Sequence, residues 1–498
     1  MALYPLRIIT LTALLLALTA CADALAAPNA QPTERPMQPI TQPAAEPTVY
    51  NACQPAEDTA STRHTVVADI NYTAKTALVS QRTHHINRSG QALEQIVFNV
   101  EANRWANTFT LAQVTEDGIL LAHTLEDKRL TIDLQEPLQP GCEIDLNMVF
   151  RLDVPQVGVG VNTRKGFFGY TSRQMNLGHW LPTVAPLQGD VWVSRQAFLI
   201  GEQEVLDKAN WAVTLNLTGD IENLMIAAPG ERTVLSVDRV RYVLNHARDF
   251  SLSLSDQFEM LPTVAEDGTR VEMYTFSQQP NSAATVEALD AAVTSIAMFA
   301  DLFGAYPYER ILVIEGDFPD GMEFSGMVFV GNNWFQNYTG TPAGYLVLIT
   351  VHEVAHQWWY ASVGNDPAVH PWLDEALATY SEYIFIEEYY PELTEWWWSF
   401  RVDYFSPEGF VDAQVYEFGS AREYINAVYL RGVRMLADLR VDLGTDAFFQ
   451  LLADYAAAGQ GRIATPDLFW SLLTPEQLTL TANTRARYLR EPNPSLGG

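Results

Sequence analysis

Hydrophobic and polar positions divide the chain into two stretches of different period. Between residues 51 and 258 the apolar residues come in short alternating or β-branched runs, at 65–70, 93–100, 129–134, 144–152, 211–217 and 242–244. A period of two puts successive side chains on opposite faces, so each run predicts a strand with one buried face. Turn signals separate the runs: Glu116-Asp117-Gly118, Gln139-Pro140-Gly141 and Ala228-Pro229-Gly230. An antiparallel β saddle or sandwich over 51–258 is the expected result. The Gly158-Val159-Gly160 stretch lacks the third glycine of a dinucleotide loop and reads as a turn.

Near residue 280 the period lengthens. Apolar residues over 284–303 recur at helical spacing and stop at Gly304. Two strands are expected at 310–315 and 327–330, and helices at 344–362 and 370–389. From 392 onward the pattern is helical, over 392–405, 422–442, 446–458 and 466–473. The expected architecture is multidomain α and β. An N-terminal β domain (51–258) precedes an α/β domain (259–405) and trailing C-terminal helices (406–498). No internal repeat is visible.

The first fifty residues do not fit either pattern. Arg7 precedes an apolar run over 8–20, too short for the roughly 20 residues that span a bilayer but suited to an export signal. The run ends in Leu18-Thr19-Ala20-Cys21, which resembles a bacterial lipobox and makes Cys21 the candidate lipidated residue, with 1–21 as signal peptide. Ordinary cleavage after Ala24-Leu25-Ala26 is the alternative, giving a secreted or periplasmic product. Six prolines between Pro28 and Pro47 then make 22–50 an extended linker. With Cys21 acylated, Cys53 and Cys142 remain. In an oxidising compartment they are expected to pair, at ~4–5 kcal/mol in the chain-entropy model; two buried thiols are the alternative. The location expected is extracytoplasmic, at a membrane through the lipid anchor.

Composition narrows the function. Of 498 residues 48% are apolar and 18% charged, which excludes global disorder and suits two to four domains. Sixty acidic against 30 basic residues give a net charge of −30. With no basic cluster to offset that charge, nucleic-acid binding is excluded. Three cysteines without a CxxC exclude iron–sulfur clusters and cysteine zinc fingers.

The chemistry lies in His352-Glu353-Val354-Ala355-His356, within the expected 344–362 helix. Histidines four apart share a helix face, so both imidazoles can meet one ion, and Glu353 beside them can take a proton. Eighteen residues separate His356 from Glu375, which lies in Trp372-Leu373-Asp374-Glu375-Ala376-Leu377-Ala378-Thr379-Tyr380. Two histidines and a carboxylate with no nearby thiol favour one Zn²⁺ with an open fourth position. Glu382 lies one heptad further on and can orient a ligand histidine.

This arrangement resembles the gluzincin metallopeptidases of the aminopeptidase N and leukotriene hydrolase type. Gly304-Ala305-Tyr306-Pro307-Tyr308, Gly321-Met322-Glu323-Phe324 and Ala247-Arg248-Asp249-Phe250 resemble further segments of that family. The resemblance, over roughly 60–475, implies a β saddle, a thermolysin-like α/β zinc catalytic domain and trailing helices. It implies removal of N-terminal residues from peptides, with Glu353 as base and Glu323, beside Gly321 and Met322, holding the substrate's free amine. Phe324 stands where the family has Asn.

A tyrosine is expected to stabilise the oxyanion. Tyr416 and Tyr429 are candidates, and the helical period after Tyr429-Leu430-Arg431-Gly432 favours Tyr429. The large C-terminal helical domain of many relatives has no counterpart in the sequence, so a more open site is expected. Asn176 to Thr183 keeps only a Trp-Leu-Pro core of the family's N-terminal signature. His84, His85 and His370 are expected to be surface or structural, and Trp396-Trp397-Trp398 to pack a helix. A zinc endopeptidase and a non-catalytic peptide-binding lipoprotein of the same fold remain alternatives.

Overall fold

The structure is a computed structural model that describes residues 62–158, 166–276 and 282–492. The signal and linker, with Cys21 and Cys53, lie outside the described residues, as does most of the 158–160 turn. Cys142 is buried.

The strand Thr62–Asn71 illustrates how the β region forms. His64, Val66, Ala68 and Ile70 are buried, and the residues between them face outward. It belongs to an eight-stranded sheet in the order Glu231–Ser236, Arg239–Ala247, Ala209–Thr218, Thr62–Asn71, Thr76–Ile86, Glu143–Asp153, Phe109–Glu116, Ile119–Leu120. All six expected strands are present, most of them longer than their apolar runs. One pairing departs from the antiparallel expectation: Thr62–Asn71 runs parallel to Ala209–Thr218. Two four-stranded sheets, which include Leu93–Asn99 and Leu252–Ser255, share one apolar core with the large sheet.

The strand Thr76–Ile86 had no sequence signal, because its inward face carries polar residues. Gln81 and Thr83 are fully buried. Gln81 donates to the Pro182 carbonyl at 2.7 Å, and Thr83 Oγ1 lies 3.0 Å from His64 Nδ1. Satisfied hydrogen bonds make such burial tolerable.

A separate five-stranded mixed sheet begins at Phe258–Val264 and continues through Arg270–Phe276, Arg310–Gly316 and Met327–Gly331 to an edge strand, Gly321–Phe324. The helix Ala283–Phe303 starts where the Ser282 hydroxyl accepts the Thr285 N–H. It ends at Gly304, whose φ of 98° suits glycine. The helix packs on Tyr345–His356, which in turn packs on Glu375–Tyr389.

Several expected helices are interrupted. The 344–362 stretch is an α-helix, Tyr345–His356, that widens into a π turn at Gln357–Ser362. The 370–389 stretch breaks into a 3₁₀ turn, Pro371–Leu373, and a helix, Glu375–Tyr389. Asp374, at φ −111° and ψ −73°, forms the break. The 392–405 stretch divides into four short turns, and 422–442 carries a π turn at Ile425–Leu430 before the helix Arg431–Leu443.

Candidate active site

Three side chains from two packed helices converge. His352 Nε2 and His356 Nε2 lie 3.1 Å apart. Glu375 Oε2 is 3.3 Å from the first and 3.6 Å from the second. The two histidines come from successive turns of Tyr345–His356, and Glu375 opens the next helix. All three are buried.

The far side of each imidazole is fixed. His352 Nδ1 lies 3.0 Å from Glu382 Oε1, and His356 Nδ1 lies 2.6 Å from Asp374 Oδ1. With each Nδ1–H donated to a carboxylate, both Nε2 atoms present lone pairs to the same point. Two lone pairs and a carboxylate oxygen at such separations repel unless a cation lies among them. The nitrogen and oxygen donors and their convergence fit Zn²⁺.

Glu382 is itself held. Arg401 donates Nε to Glu382 Oε2 at 2.9 Å and Nη2 to Oε1 at 2.8 Å. Burial opposes ionisation of Glu382, but Arg401 and the bonds to it keep the carboxyl below its usual range.

A cavity of about 480 Å³ opens over the triad. Glu353 and Glu323 line it, both buried, and each has one carboxyl oxygen without a hydrogen-bond partner among the described residues. Burial pushes both carboxyls upward, and for Glu323 the charge of Glu202 adds to that. A Glu323 oxygen lies within 4.8 Å of donor atoms of both His356 and Asp374. Glu323 sits on the edge strand and still faces the cavity. Gly321 and Met322 line the same wall. A Cβ at Gly321 would come within 2.2 Å of Glu353 Oε1, so only glycine allows this carboxylate its place.

The two tyrosines part company. Tyr429 lines the cavity with its ring 6.0 Å from, and parallel to, that of His352. Burial first, then the Glu375 charge, raises its phenol well above the ordinary range, so the hydroxyl keeps its proton. Tyr416 donates to the Gln196 carbonyl at 2.9 Å and packs on Phe198, outside the cavity. His84 sits near Glu143 and Asp145, and His85 near Thr62, away from the triad. Trp397 is fully buried against Tyr383.

Sequence reading missed Glu202 and Asp374. Glu202 reaches the cavity from the β region on an irregular segment that carries no period to single it out. Asp374 stands directly before the ligand Glu375, where an N-cap role is the ordinary reading; its side chain instead takes up His356.

The peptidase family M1 domain matches residues 287–484, which hold the triad and Tyr429. Residues 287–484 are a peptidase family M1 domain. Among relatives of the M1 domain, aminopeptidase M1-A of Oryza sativa subsp. japonica is 27% identical over 231 residues, covering 43% of this chain and 26% of the rice protein. Endoplasmic reticulum aminopeptidase 1 of Homo sapiens is 27% identical over 398 residues, covering 70% of this chain and 41% of the human protein. The chain thus spans about a quarter of the rice protein's length. The fold extends beyond the M1 domain. An M1 zinc metallopeptidase from Deinococcus radiodurans superposes with a TM-score of 0.59 at 18% identity, covering 85% of this chain and 91% of that one. A variant of the Deinococcus radiodurans enzyme, solved with a Tyr-Ser-Ala substrate, superposes at 0.60 with 17% identity, covering 87% and 96%. A zinc cofactor follows from the M1 domain and agrees with its donor set.

Proposed function

We propose that the protein is a zinc aminopeptidase that removes N-terminal residues from peptides. The observation that carries this reading is the buried oxygen of Glu323, without a hydrogen-bond partner among the described residues, on the cavity wall within reach of the His356 side of the triad. A buried carboxylate with an open acceptor suits a substrate's ammonium group, and anchoring the N-terminus there sets the first peptide bond beside the triad.

His352, His356 and Glu375 hold the zinc, which when bound supplies Lewis acidity to the scissile carbonyl and to water. Glu353 takes the proton of the attacking water and returns it to the leaving amine. The raised affinity of its carboxyl for a proton favours that role. Tyr429 keeps its phenolic proton and donates it as a hydrogen bond to the oxyanion. Glu323 holds the amine, with Glu202 adding negative charge nearby.

The test compares one peptide with a free and with an acetylated N-terminus, with and without chelator. A hydrogen bond to a charged group is worth ~1.5–3 kcal/mol, so roughly 10- to 150-fold in kcat/KM separates the two ends. Glu323→Ala removes most of that preference and keeps the zinc. Equal rates on both ends favour the endopeptidase reading. No cleavage with zinc bound favours a peptide-binding protein.

We also infer export and anchoring by a lipid on Cys21, supported by the short apolar run and the sequence before that cysteine. Mass analysis of the mature N-terminus decides between a diacylglyceryl-Cys21 product and a soluble one starting at Ala27.

A further inference from the structure

A second cavity, of about 400 Å³, shares no lining residue with the one over the triad. Its wall comes almost entirely from the β region, and Gly461 reaches it from the turn after the helix Thr445–Gly459. Leu93, Leu187 and Trp192 make part of the wall apolar, while Asp207 and Lys208 make part of it charged. A volume of this size falls in the range of small-ligand pockets.

The two charged residues are uncommitted. Among the described residues neither Asp207 nor Lys208 has a hydrogen bond or an ion pair, and they do not pair with each other. The chain holds 60 acidic residues against 30 basic ones, so a half-buried lysine with no acid beside it is a departure. Burial, and after it the like charge of Arg248, lowers the Lys208 ammonium to about 8. The other basic groups on the wall are placed differently. Burial brings the His85 ring down to about 4, Arg88 has a partner of its own, and His246 is exposed. An open ammonium and an open carboxylate, held apart beside an apolar wall, match the two charges and the side chain of a free α-amino acid.

We propose that this cavity is an effector site for a free apolar amino acid, with Lys208 taking its carboxylate, Asp207 its ammonium and the wall at Leu187 and Trp192 its side chain. On the aminopeptidase reading this is the class of molecule that the reaction releases, so the site senses product. Hydrogen bonds lead from the cavity to the zinc helix. Leu206, one residue before Asp207, and Arg462, one residue after Gly461, offer their carbonyls to Arg248 at 2.7 and 2.8 Å. Arg248 also donates to the Ser362 carbonyl, at the end of the π turn that closes the histidine-bearing helix. Leu206 lies on the irregular segment that carries Glu202. An amino acid seated against Asp207, Lys208 and Gly461 therefore bears on both segments that Arg248 ties to that helix, and such a packed network can carry coupling between two sites.

The experiment titrates the zinc-loaded protein with L-leucine by calorimetry, on the wild type, Lys208→Gln, Asp207→Asn and Glu323→Ala. A leucine site is expected that survives Glu323→Ala, weakens roughly 10-fold or more in Lys208→Gln and weakens about 2- to 5-fold in Asp207→Asn, whose carboxylate is exposed. Leucinamide, without the carboxylate, and 4-methylpentanoate, without the ammonium, bind that site more weakly than leucine by similar factors. Turnover of leucine p-nitroanilide is then followed with added leucine. Leucine in the zinc cavity competes with substrate and raises KM, whereas leucine in the second cavity changes kcat. Lys208→Gln is expected to remove the change in kcat and to keep the rise in KM. Leucine binding that is lost in Glu323→Ala and intact in Lys208→Gln overturns the proposal, and so does 4-methylpentanoate binding as tightly as leucine. A wild-type kcat untouched by leucine overturns the effector role. Absence of turnover, with the Lys208-dependent leucine site present, overturns the aminopeptidase reading and leaves the amino-acid site standing.

Discussion

At the scale of single residues, the two tyrosines show what spacing carries and what it does not. The sequence offered Tyr416 and Tyr429 with comparable local motifs, and only the helical period after Tyr429 separated them. The structure puts Tyr429 against the His352 ring and ties Tyr416 to a distant carbonyl. Tyr429→Phe is expected to lower kcat by roughly 10²–10³, as loss of one oxyanion donor does, with KM nearly unchanged. Tyr416→Phe is expected to leave both within twofold. Steady-state kinetics on the two variants checks the assignment, and a reversed pattern would move the oxyanion role elsewhere. His352, His356 and Glu375 were legible because a helix imposes fixed spacing on a ligand pair. Glu202 was not, because its position depends on a segment with no period and on contacts far away in sequence.

At the scale of elements, the positions of the helices were readable and their interruptions were not. Apolar spacing predicts one helix over 370–389, yet Asp374 breaks it so that one carboxylate can meet His356 while the next residue meets the triad. The same logic extends to the turn Trp398–Val402. It contributes Arg401, whose partner Glu382 fixes His352 from the opposite side. Arg401→Met would leave Glu382 buried without its counter-charge. Breaking such a pair costs about 3–5 kcal/mol, and loss of a ligand's outer support weakens metal binding 10- to 100-fold. Competition with a chromogenic chelator reads the zinc affinity, and chemical denaturation reads the stability. Normal zinc affinity in Arg401→Met would show that Glu382 orients His352 without help.

At the scale of the molecule, β region and helices meet on one buried arginine. Ala247-Arg248-Asp249-Phe250 was legible only as a family resemblance, because nothing in a local pattern tells a buried arginine from a surface one. Arg248 leaves the end of a β strand and gives its donors to four carbonyls. Nε reaches Tyr360 O at 2.5 Å, Nη1 reaches Leu206 O at 2.7 Å, and Nη2 reaches Ser362 O and Arg462 O at 3.2 and 2.8 Å. Tyr360 and Ser362 close the helix that carries both histidines. Leu206 lies on the irregular segment that carries Glu202, and Arg462 belongs to the trailing helical region. One side chain therefore ties together the supports of the zinc ligands and of the amine end. Gly364 has no Cβ where the guanidinium passes; one would come within 2.3 Å of it. Arg248→Met keeps most of the volume and removes every donor. Ser362 O and Arg462 O keep the backbone N–H groups of Gly461 and Gly364, at 2.9 and 3.0 Å, while Tyr360 O and Leu206 O lose the arginine's donors, at roughly 1–3 kcal/mol for each that stays unpaired. Partial relaxation and entry of water bring the expected total to about 3–5 kcal/mol. The loss is expected as a lower guanidinium midpoint with an unchanged slope. KM for free-amine peptides is expected to rise more than KM for acetylated ones, because the Glu202 segment loses its tether to the helix end. A midpoint within error of the wild type would mean that the carbonyls find other donors and that the two regions hold together without Arg248.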